Sequence, residues 1–89
     1  MVRKELIDTA RLDEHIEALT AGYLESYVNI LKIPSLIARC EEGKGKNPEQ
    51  DSVLDTQIES HKRTIVNNEE QMKSLSEIYD RLLEFKKSL

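Results

Sequence analysis

The chain has 89 residues, with 13 Lys plus Arg against 17 Asp plus Glu and a net charge of -4. That length allows one domain with a small core, and that acidity argues against nucleic acid or an acidic membrane as the main partner. At 38% hydrophobic and 34% charged, with three Gly and two Pro, the composition fits neither a disordered tail nor a compact sandwich, and points to long helices with narrow apolar stripes.

The amino-terminal stretch MVRKELIDTARLDEH carries basic residues with no apolar run behind them. No segment approaches the ~20 apolar residues of a membrane span. Cys40 is the only cysteine, so the chain cannot close a disulfide on itself, and a single thiol suits a reducing compartment. The expectation is a soluble, cytoplasmic protein.

The first arm is expected over about 3–42. Ile16, Tyr23, Ile30 and Ile37 recur every seven residues, with Leu12, Leu19 and Ile33 on a companion series and Ser26 in its remaining slot. This spacing is that of a helix with one apolar seam. Pro34 lacks the amide that would bond the Ile30 carbonyl, so the arm is expected to kink or break there.

The stretch EEGKGKNPEQDS punctuates the chain. Gly43 is suited to a left-handed helix end, and residues 43–47 form the expected tip. Asn47 followed by Pro48 signals a new helix, with the Asn47 side chain accepting from the amide of Gln50. Ser52 with Asp55 three residues on is a second possible start.

The second arm is expected over about 48–87. Ile58, Ile65, Met72 and Tyr79 form one seven-residue series, and Leu54, Leu75, Leu82 and Leu89 the other, with His61 and Asn68 in its remaining slots. Arms of equal length folding back about the tip should pair residues whose numbers add to about 90. That register sets Tyr23 opposite Asn68, and Tyr27 with Ile30 near His61. Tyrosine hydroxyls would then satisfy the amide and the imidazole, and this polar middle would fix the register as a buried Asn does in coiled coils.

Closing such a hairpin leaves apolar side chains uncovered. Leu24, Val28 and Leu31 form a stripe turned away from the seam, and Leu83 widens a face made by Ile78, Leu82 and Phe85. Burying apolar surface stabilises by about 25 cal/mol per Å², so three or four wet side chains forfeit several kcal/mol. The expected architecture is therefore all-α: a long antiparallel, coiled-coil-like hairpin assembled into a four-helix bundle with a copy of itself or an unlike subunit.

Chemistry is sparse. His15 and His61 are the only histidines and Cys40 has no local histidine, so neither a closed metal site nor a thiol nucleophile is expected. GKGKN has no strand before it and lacks the spacing of a phosphate loop. A pocket for a dianionic substrate would need inward cations, whereas Arg11, Arg39, Arg63 and Arg81 fall off the seam. No cofactor is expected. The function expected is a non-enzymatic interaction module, a small helical subunit, adaptor or regulator, with Leu24, Val28, Leu31, Leu83 and Phe85 as its interface. The alternative is a phosphotransfer carrier using His61, which Lys62 and Arg63 follow directly.

Overall fold

In a computed structural model, which describes residues 2–89, the chain is one helical hairpin measuring 64 × 21 × 15 Å. A 3-10 turn at Lys4–Leu6 precedes two long helices, α1 over Thr9–Glu42 and α2 over Pro48–Lys87, which pack against each other. There is no strand among the described residues.

α1 begins at Thr9 because Asp8 caps it: the Asp8 side chain accepts from the Ala10 amide at 2.9 Å while its own backbone is extended. The residues before it are tied down separately, with the Lys4 ammonium donating to the Ser88 carbonyl at 3.1 Å. Pro34 lies inside α1, which runs through it unbroken. Of the two alternatives there, a break does not occur. Pro34 is exposed, and an unbroken α1 keeps Ile33 and Cys40, on either side of it, buried on the seam.

α2 opens with Asn47 as cap and Pro48 in the first turn. The Asn47 side chain accepts from the Glu49 amide at 3.0 Å, one residue earlier than the expected Gln50. Glu49 and Asp51 in the first turn and Lys86 and Lys87 in the last complement the helix dipole. The left-handed position expected at Gly43 lies instead at Gly45, with φ +88°, while Gly43 ends α1 in right-handed geometry. A residue with a Cβ would be strained at Gly45.

The register differs from the expected one by a whole heptad. Gly22 faces Leu75, Asn29 faces Asn68, Cys40 faces Gln57 and Gly43 faces Leu54, so paired numbers add to 97 rather than 90. The arms are unequal, 34 residues against 40, and the surplus of α2 projects at the tip. There the chain folds back along the first turns of α2: the Gly45 amide donates to Asp51 at 3.0 Å, and Lys44 pairs with Asp55. A Cβ on Gly43 would lie 3.3 Å from Leu54, so α1 ends pressed against α2 above its first turn. A shift of seven keeps the same apolar series face to face and changes every individual partner.

The core is thin. Leu12, Ile33, Cys40 and Ile58 are its buried apolar residues, and no side chain among the described residues is completely enclosed. Cys40 continues the series of Leu12, Ile33 and Ser26 at seven-residue intervals, and its thiol lies 3.6 Å from the Gln57 side-chain oxygen. At the open end Lys86 pairs with Asp13 at 2.6 Å across the two helices.

Candidate interaction surface

The polar middle keeps Asn68 of its expected members, while its partner is Asn29 rather than a tyrosine. Ser26 and Asn68 are the buried polar residues, 3% and 9% exposed. Asn68 donates to the Thr64 carbonyl at 2.8 Å within α2 and accepts from the Asn29 side chain at 3.5 Å across the seam. Tyr23 and Tyr27 are not its partners. Both are exposed, at 43% and 47%, and border an open groove with Ile30, Met72 and Ser76. The one-heptad shift moves Leu75 into the place opposite Tyr23 that Asn68 was expected to hold.

His61 is half-buried on the seam, and Lys62 and Arg63 beside it are exposed. The register brings it level with Leu36 and Ile37 rather than with Tyr27. Asn29 was missed by sequence reasoning because it lies just outside the strict seven-residue series. Its signal was its position three residues after Ser26, on the shoulder of the same face.

Among the expected interface residues, Leu24 and Leu31 are the most open, at 60% and 59% exposure, while Val28, Leu83 and Phe85 are half-buried. The five do not form one surface. At about 100° per residue Leu83 and Phe85 diverge by about 200° around α2, and both lie at the open end of the hairpin, far from the middle of α1. Ile78 and Leu82, expected on one face, line a groove together with Leu12, His15 and Ala18.

The coherent patch belongs to α1. Tyr27, Leu31, Leu24 and Val28 fall within about a 100° arc on a helix of 3.6 residues per turn. From Ala18 to Leu31, Glu25 is the only charged residue, whereas the facing stretch of α2, Val66 to Tyr79, carries Glu69, Glu70, Lys73 and Glu77. α1 is thus apolar on its seam and again on its outer side. A helix apolar on opposite sides is the kind that packs on both of them.

Charged groups near both ends of the hairpin are shifted by their neighbours. The Asp55 carboxylate, through its hydrogen bond and then its charge, holds the Lys44 ammonium above its ordinary range, with smaller help from Asp51 and Glu41. Glu5 is lowered by its own backbone hydrogen bond and then by Arg3. No group of three or more His, Cys, Asp or Glu is placed to hold a metal ion among the described residues, and no helix there is long and apolar enough to cross a membrane. No protein family matches the chain, and neither the curated proteins nor the solved structures contain a match to it.

Proposed function

We propose that this hairpin is a non-enzymatic protein–protein interaction module, a small helical subunit, adaptor or regulator that works by packing α1 against a partner. The observation that carries this reading is the uncovered stripe of Leu24, Tyr27, Val28 and Leu31, flanked by a nearly charge-free stretch of helix. Clusters of exposed large apolar residues on soluble proteins mark binding sites.

Two measures of the whole chain support it. A compact monomer of this mass exposes about 5,400 Å², against the 7055 Å² found here. The surplus, about 1,700 Å², is about twice the roughly 800 Å² that each partner contributes to a standard interface. The radius of gyration is 19.9 Å, where a compact domain of this length has about 12 Å.

The test is the native mass of the chain in an extract of its source. An assembly larger than the 10.3 kDa chain is expected, and Val28→Asp should reduce it to the monomer by placing a carboxylate in the packed stripe at a cost of several kcal/mol. A wild-type chain that migrates as a monomer in that extract overturns the reading. His61→Gln, which would abolish phosphotransfer in a carrier, should leave the assembly intact.

A further inference from the structure

We infer that the outer stripe of α1 is covered by a second copy of this chain, the two α1 helices lying antiparallel across a two-fold axis close to Val28. This rests on the interaction reading above and names the partner that reading leaves open.

A two-fold interface must be self-complementary, each residue meeting the partner of its own partner. The stripe has that property in one orientation. Leu24 and Leu31 stand four residues before and three after Val28, so an axis there brings Leu24 of one copy beside Leu31 of the other, twice. Glu25 and Lys32 stand three before and four after the same point, and both border the stripe on its Val28 side at about 80–100° from Leu24. In an antiparallel helix pair like borders face each other, so the same axis brings Glu25 beside Lys32 of the second copy, also twice. Both side chains are exposed, and neither takes part in an ion pair among the described residues.

The ends of the stripe fit the same axis. Ala21 falls level with Ser35 of the second copy, both on the Val28 side of Leu24, so small residues meet there and the helices can approach closely. A parallel pairing loses these matches, because it sets Leu24 against Leu24 and places each Glu25 on the border away from Lys32. Area points the same way. The hairpin as a whole exposes about 1,700 Å² more than a compact monomer of its mass, against the roughly 800 Å² that each partner buries in a stable dimer.

The purified chain, sedimented alone, should have twice the mass of 10.3 kDa. Glu25→Lys and Lys32→Glu each turn both cross-copy pairs into like-charge pairs and should each weaken self-association about tenfold. Mixed together, the two variants restore opposite charges at both pairs and should associate preferentially with each other at wild-type strength. Far-UV circular dichroism on each variant reports that the hairpin itself is intact. A dimer indifferent to both substitutions, or no preference in the mixture, overturns the antiparallel arrangement. A folded monomer at about 100 µM, with the larger assembly persisting in native extract, overturns the second copy in favour of an unlike partner and leaves the interaction reading standing. A monomer in both settings overturns the two together.

Discussion

Asn68 shows what one side chain does in a seam this narrow. Its amide is nearly buried, bonded to Thr64 within its helix and reaching Asn29 across the hairpin. The long cross-seam contact contributes little to stability, on the order of 0.5–1.5 kcal/mol at best. Its effect on register is larger. Sliding the arms by seven residues leaves the apolar series matched and the Asn68 bond to Thr64 intact, but parts the Asn68 side-chain oxygen from Asn29, and a buried acceptor left without a donor costs about 1–3 kcal/mol. Asn68→Leu should therefore stabilise the hairpin by about 1–2 kcal/mol while admitting the slipped register. Spin labels at Thr20 and Ser76, which line one groove, would report it as a second, longer distance population, since an axial offset of about 10 Å lengthens a cross-seam separation of about 10 Å to about 14 Å. A single population identical to wild type would refute this account of the seam.

Each helix is held by its ends as much as by its length. Asn47, Pro48 and the acidic first turn define the start of α2, and a pattern of cap, proline and early acids is local chemistry that any sequence displays openly. Asp8 caps α1 just as locally, yet the expectation of equal arms draws the eye to a start near residue 3. The interior weak point is Pro34, which leaves the Ile30 carbonyl without its helical donor. Since Pro34 is exposed and the helix is continuous around it, Pro34→Ala should restore that bond without disturbing the core. Proline in a helix interior costs about 3 kcal/mol relative to alanine. Recovering half of that would raise the melting temperature by roughly 6–12 °C in a chain of this size. An unchanged or lowered melting temperature would mean that the proline ring itself contributes to packing.

At the scale of the molecule, two helices laid side by side have a seam and no interior. Among the described residues, four buried apolar ones and two buried polar ones leave the isolated hairpin with little to hold it, and small chains of this kind gain stability by association. If a second copy covers α1, folding and association are linked, and the melting temperature must rise with protein concentration. Circular dichroism melts over a hundredfold range of concentration should show an upward shift of several degrees. A melting temperature independent of concentration would indicate a hairpin that is stable alone.

The seven-residue apolar series, the cap at Asn47, the turn-forming glycines and the polar slots at His61 and Asn68 determine an antiparallel helical hairpin from sequence alone, because periodicity and capping act within a few residues of one another. The register was decided elsewhere. Several alignments satisfy the same heptads, and the choice among them depends on how Gly43 stops against Leu54, how Asp51 and Asp55 hold the tip, and how Asn29 reaches Asn68. Those contacts join residues far apart in the chain or depend on the path of a loop. Only the tertiary structure could therefore assign Tyr23 and Tyr27 to the surface and pair Asn68 with Asn29.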